Sequence, residues 1–178
     1  ALSAGLEPLA GVSIRIVDDA GDCVSTGTEG TIEVSGPIVM TGYLDDPQAT
    51  ETTLAEGWLR TGDVGVLDDA GRLRVLDRRS DLILSGGENV YPAEIESVLD
   101  DHEDVIEAGV CGVADEKFGA RPVAFLVLRE GASLDAEEMA EYCQTRLASY
   151  KCPTTFNQTG VLPRTPTGKL IRRALLDD

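Results

Sequence analysis

The chain has 178 residues, with 15 basic against 32 acidic side chains and a formal charge of −17. Its length allows one ordinary domain or two small ones, each able to bury a core. The acidic balance argues against nucleic acid or an anionic membrane as the main partner. In chain order, the first eighty residues read as short strands with turn signals. "VSIRIVDD" alternates Val12, Ile14 and Ile16 with polar partners, and "GTIEVSG" repeats the pattern with Ile32 and Val34. "DDPQATETTLAEG" is expected to be a short helix or loop. "DVGVLDDAGRLRVLDRR" reads as a hairpin, with Val64, Val66 and Leu67 before a turn at Asp69-Ala70-Gly71, and Leu73, Val75 and Leu76 after it.

From about residue 80 the pattern changes to mixed α/β. Pro92 suits the first turn of a helix with Ile95, Val98 and Leu99 on its apolar face and Glu94 and Glu96 near its amino end. "VIEAGVCGV" and "PVAFLVL" are short apolar runs of the kind that make buried strands. A second helix starts near Ser133 or Asp135 and buries Met139, Tyr142, Cys143 and Leu147, with Pro153 closing the segment. The expected fold class is therefore α+β. A β-rich part covers 1–79 and a small mixed α/β part, a short sheet flanked by helices, covers 80–178, with the boundary at "LDRRSDL".

Several chemistries are disfavoured at once. Cys23, Cys111, Cys143 and Cys152 are widely spaced with no C-x-x-C pair, so zinc is not expected and a reduced, cytoplasmic setting is. His102 is the only histidine and lies in the polar "DDHED", which leaves a Ser-His-Asp triad a single poorly placed base and excludes a three-histidine metal site. No signal peptide is apparent, and no apolar run approaches a membrane span. The arginine- and aspartate-rich, lysine-poor composition matches an acidic surface adapted to high salt. In dilute buffer such a chain repels a nucleotide at long range, so any nucleotide site must be locally positive. At about 1 M salt the Debye length is roughly 3 Å and the repulsion largely vanishes.

Four stretches cluster glycine, charge and hydroxyl groups where packing does not need them. In "GWLRTGD", Asp63 follows a Thr-Gly turn and could accept from both hydroxyls of a ribose, or cap nearby amides. In "DRRSD", Arg78 could bind phosphate or ribose through its planar fork, or belong to a surface salt-bridge run. In "LSGGENVYPAEIE", Gly86-Gly87 permits a close approach of a ligand to backbone amides, or a plain turn into the Pro92 helix. "LPRTPTGKLIRR" is not a phosphate-cradling P-loop, because Pro163 stands where that pattern needs glycine and Leu170 where it needs Ser or Thr. Lys169, one of three lysines, would act there as a single mobile cation.

Taken singly these stretches decide nothing, but their order does. "GTIEVSGPIVMTGY", "GWLRTGD", "DRRSDLILSGGENVYPAEIE", "YKCP" and "LPRTPTGKLIRR" resemble the successive carboxyl-terminal motifs of the adenylate-forming acyl-CoA synthetases, over essentially the whole chain. The resemblance implies an enzyme that joins a carboxylate to ATP, with Mg²⁺, and passes the acyl group to the thiol of CoA. It implies that residues 1–79 are the tail of a large domain's β subdomain, and that 80–178 are a small domain rotating between the two half-reactions. Residue by residue, Asp63 would bind the ribose hydroxyls and Arg78 the ribose-phosphate region. Ser80 would be the hinge, where many relatives carry Asp or Lys. Gly86, Gly87 and Glu88 would line the pantetheine passage, and Lys169 would be the adenylation lysine. Arg121 stands where many relatives have an acidic residue. The family's phosphate loop and acyl pocket lie upstream of this stretch, so the piece alone is not expected to catalyse the whole reaction. A carrier-protein-loading adenylation unit and a non-catalytic module binding CoA or a partner are the rival readings. The second has no need of Asp63, Arg78 and Lys169 together.

Overall fold

The computed structural model describes residues 5–176. The chain divides into two compact units, the first ending at Ser80 and the second starting at Asp81.

The first unit is an antiparallel sheet. β1 (Ser13–Val17) pairs with β2 (Gly30–Ser35), and β2 pairs with the long β4 (Trp58–Leu67). The other edge of β4 takes β3 (Leu54–Ala55) and β5 (Leu73–Arg78) at different stretches. Ile16, Ile32 and Leu73 are buried together, with Ile14, Val24, Val34 and Leu67 packed around them. The polar face of β2 is also covered. Glu33 is buried between Arg15 (Nε to Oε2, 2.8 Å) and Arg60 (Nε to Oε1, 3.3 Å), its two cross-strand neighbours. Arg15 in turn lies over the Trp58 ring at 4.2 Å. α1 (Pro47–Thr53) begins at Asp46, whose carboxylate accepts from the Ala49 N–H, with proline at its first position. The hairpin forms as its pattern predicts, except that Val75 is 45 % exposed. It keeps the alternation of Leu73 but stands opposite Gly65, which has no side chain to cover it.

The second unit is built on β8 (Val105–Asp115) and β9 (Gly119–Leu128), paired antiparallel along their length. β9 also pairs with β6 (Ile83–Ser85) and, in parallel, with β10 (Phe156–Gln158), while β7 (Glu88–Val90) pairs with β6. α2 (Pro92–Asp100) and α3 (Ala136–Gln144) cover one face. Ile95, Leu99, Val110, Leu126, Met139 and Cys143 form that core, each 0 or 1 % exposed. Each such aliphatic side chain contributes about 1.5–3 kcal/mol of burial. Asp135 caps α3, accepting from the Glu137 and Glu138 N–H groups. Tyr142 and Leu147 are only partly buried, and Leu147 lies beyond the helix end.

The alternating side chains of β8 and β9 face the other way. There Cys111, with Phe125 and Val127, receives Leu162, Leu170 and Leu175 from the carboxyl-terminal segment, which ends in a 3-10 turn at Arg172–Leu176. This second layer is what places the "LPRTPTGKLIRR" stretch. Burial pushes the Cys111, Cys143 and Cys152 thiols up, Cys143 to about 11, whereas Cys23 is exposed. Among the described residues, no helix is long and apolar enough to cross a membrane.

Candidate active-site residues

In the first unit the structure brings Asp63 and Arg78 together. The register of β2 against β4 shifts where Thr61, Gly62 and Asp63 stand, and Gly62 takes φ +78, a left-handed conformation suited to glycine. Thr61 holds the distortion: its hydroxyl donates to the Ile32 carbonyl at 2.9 Å and accepts the Asp63 N–H at 3.1 Å. Asp63 then lies directly across from Arg78 on β5, with Arg78 Nε 3.0 Å from Asp63 Oδ1. The pair is solvent-reachable, with side chains 53 % and 33 % exposed for Arg78 and Asp63. A carboxylate oriented by a guanidinium on a fixed strand is a good acceptor for paired hydroxyls. Arg79 bonds Asp19 instead, and Ser80 follows in an exposed 3-10 turn at Arg79–Asp81.

In the second unit Gly86 and Gly87 form the two-residue turn between β6 and β7. Both have positive φ, +62 and +89, the pattern that lets a tight hairpin follow the strand twist. The Gly86 N–H donates to the Phe118 carbonyl at 2.8 Å, and a Cβ on Gly86 would meet the Phe118 ring at 3.2 Å. Glu88 is exposed beside the turn, paired across from Ser85. Phe118 is itself flanked by cations: Lys117 Nζ lies 5.0 Å and Arg121 Cζ 4.8 Å from its ring centroid. Arg121 Nε is buried without a hydrogen-bond partner among the described residues.

Lys169 stands on a separate loop of that unit. Arg164 and Leu170 form a bridge that closes Thr165–Lys169 into a tight turn. Inside it the Thr165 N–H donates to the Lys169 carbonyl at 2.8 Å, and the Lys169 N–H donates to Thr165 Oγ1 at 3.0 Å. Gly168 takes φ +86, and its carbonyl accepts from Arg164 Nη1 at 2.7 Å. The Lys169 side chain is exposed, and among the described residues its ammonium makes no ion pair. The backbone is fixed and the cation is available.

Sequence reasoning passed over Arg172, although it lies in the same motif. Its guanidinium joins Glu96 and Asp81, a contact that spacing cannot reveal because Asp81 and Arg172 are 91 positions apart.

In fold and in these loops the chain is similar to the carboxyl-terminal part of the adenylate-forming acyl-CoA synthetases. Residues 94–169 match the family described as AMP-binding enzyme C-terminal domain. In particular, the chain is similar to the 2-succinylbenzoate–CoA ligases. That of Bacillus licheniformis is 50 % identical over 173 residues, 97 % of this chain and 35 % of the relative. The o-succinylbenzoate CoA synthetase of Bacillus subtilis, solved with the acyl-adenylate OSB-AMP, superposes with a TM-score of 0.92 at 48 % identity, over 97 % of this chain and 35 % of that one. The amide bond synthetase of Marinactinospora thermotolerans gives a TM-score of 0.90 at 36 % identity, over 98 % and 36 %. The chain therefore spans about a third of the length of the relatives it matches.

Proposed function

We propose that this chain is the carboxyl-terminal part of an ATP-dependent acid–CoA ligase. The intact enzyme makes an acyl-adenylate from 2-succinylbenzoate and ATP, releasing pyrophosphate, and then the CoA thioester that menaquinone biosynthesis uses. The observation that carries this is the 50 % identity to 2-succinylbenzoate–CoA ligase, sustained over 97 % of the chain. The B. subtilis relative has also been solved with ATP and magnesium, which supports ATP and Mg²⁺ on the substrate side. The Mg²⁺ accompanies ATP; among the described residues no acidic, histidine or cysteine cluster is arranged to hold it.

Each candidate residue has a role its surroundings suit. Asp63, oriented by Arg78 at 3.0 Å, accepts from the ribose hydroxyls, and Arg78 reaches the ribose-phosphate region. Lys169 lies between the attacking carboxylate and the α-phosphate, where a cation offsets the repulsion of two anions as charge shifts in the transition state. The exposed Gly86-Gly87 turn and Glu88 line the pantetheine passage during thioester formation, since a turn without side chains lets a thin chain slide past. Residues 1–79 form the end of the large domain's β subdomain, and 80–178 are the small domain that reorients about Ser80. All four cysteines are free thiols, which suits a reducing, cytoplasmic setting.

The test is the full-length enzyme with ATP, Mg²⁺ and 2-succinylbenzoate, following pyrophosphate release and then thioester formation on adding CoA. Both steps are expected. Pyrophosphate release without a thioester, followed by acyl transfer to an amine or a carrier-protein thiol, would reassign the acceptor. Absence of pyrophosphate release with this acid, but release with another carboxylate, would reassign the substrate.

A further inference from the structure

Arg172 follows Lys169 by three positions and is tied to two parts of the second unit at once. Its guanidinium forks onto Glu96 of α2, Nη1 to Oε1 and Nη2 to Oε2, the latter at 3.1 Å. Its Nε donates to Asp81 Oδ2 at 3.2 Å. Glu96 Oε1 also accepts the Val110 N–H of β8 at 2.8 Å. The side chains of Arg172 and Glu96 are only 16 % and 14 % exposed, unlike the outer anchor Arg164–Glu107, at 43 % and 29 %. A bidentate, half-buried fork fixes direction as well as distance, which an exposed pair does not.

Between this fork and Lys169 there is little slack. Leu170 packs with Cys111 and Leu162, and the Ile171 N–H donates to the Pro163 carbonyl at 2.8 Å. The backbone that leaves the lysine loop is thus gripped at each following residue until it reaches Arg172. A purely stabilising ion pair would need only one carboxylate. This one joins the lysine segment to Asp81, the first residue of the unit, as well as to a helix.

We propose that Arg172 is a positioning residue for Lys169: it locks the lysine loop to α2 and to Asp81, so that loop and unit reorient as one body. This rests on the reading that Lys169 serves adenylation. A transition-state contact tolerates little error, and a misplacement of about 1 Å costs on the order of 10²-fold. Loosening the fork therefore slows the step in which Lys169 acts and spares the step in which it is withdrawn.

The experiment uses the full-length enzyme with Arg172→Gln, Arg172→Lys, Glu96→Gln and Lys169→Ala. Pyrophosphate release reports adenylation, and thioester formation from pre-made acyl-adenylate reports the second step. Arg172→Gln is expected to lower kcat of adenylation by about 10–10²-fold with KM for ATP unchanged, and to leave the second step near wild type. Arg172→Lys should recover part of the loss, since an ammonium keeps the charge but not the fork. If Arg172→Gln does not fold, Glu96→Gln decides: it weakens the fork but keeps an oxygen for the Val110 N–H, and should show the same selectivity. Equal losses in both steps, or none in either, would overturn the positioning role. Lys169→Ala separates the two readings. If it spares adenylation, the Lys169 assignment itself fails; if it is selective while the Arg172 variants are not, only the inference about Arg172 fails.

Discussion

A lysine in an acidic chain is usually claimed by a carboxylate. Lys151 follows that rule, bound to both oxygens of Glu94 at 2.8 and 2.6 Å, and Lys117 lies against Phe118. Among the described residues Lys169 has no such partner, although its loop is held by Arg164 and by the Thr165 hydroxyl. Neutralising it inside an ion pair would weaken its attraction for anions, so its availability is the property the proposed adenylation role needs. In the full-length enzyme Lys169→Ala is expected to slow adenylation by about 10²–10³, the usual cost of losing one transition-state contact. Thioester formation from pre-made adenylate should change far less. Half-reaction assays check this, and parallel losses would make Lys169 an ordinary surface charge.

Among the elements, the β6–β7 hairpin and the α2 core make separable demands. Gly86 has a left-handed φ of +62 with the Phe118 ring 3.2 Å from where a Cβ would sit. Gly86→Ala should cost roughly 1–2 kcal/mol of stability from the backbone alone. Under the proposed function it should also slow thioester formation more than adenylation, because the added methyl group would narrow the passage assigned to the second step. Thermal melting and the two half-reaction rates read these effects, and an unchanged second step would place the passage elsewhere. Leu99 tests the core instead. It is fully buried where α2 packs on the sheet, so Leu99→Ala should lose about 2–5 kcal/mol in denaturant unfolding. A loss well below that range would mean the α2 face closes over the cavity.

For this chain as a whole, net charge sets the long-range field that a charged ligand meets. Under the proposed function, a chain at −17 would repel polyanionic ATP at long range, against local cations such as Arg78 and Lys169. Screening removes that repulsion, since the Debye length falls from about 10 Å at 0.1 M to roughly 3 Å at 1 M salt. KM for ATP in the full-length enzyme should therefore fall as sodium chloride rises through this range. A KM that rises with salt would mean that local attraction outweighs the global field, and the high-salt reading of the composition would lose its support.

Much of this was legible in the residues themselves. Hydrophobic periodicity marks α2 and α3, which bury one face against the sheet, and short apolar runs mark β8 and β9, which are covered on both faces. Turn chemistry marks Gly86-Gly87 and Asp69-Ala70-Gly71, because few residues accept the dihedral angles required. The motif order carried the resemblance and the candidate residues. Tertiary structure alone decided the rest. The short β3, β7 and β10 exist because neighbouring strands supply their hydrogen bonds, not because of their own composition. Glu33 is buried on a nominally polar face because two arginines from adjoining strands neutralise it. Val75 stays exposed because the residue the fold sets across from it, Gly65, has no side chain to cover it. Asp63 meets Arg78 across β4 and β5, and Arg172 reaches Glu96 and Asp81. Such pairings join residues distant along the chain. Local spacing holds no record of them, because only the closed fold brings their charges within reach.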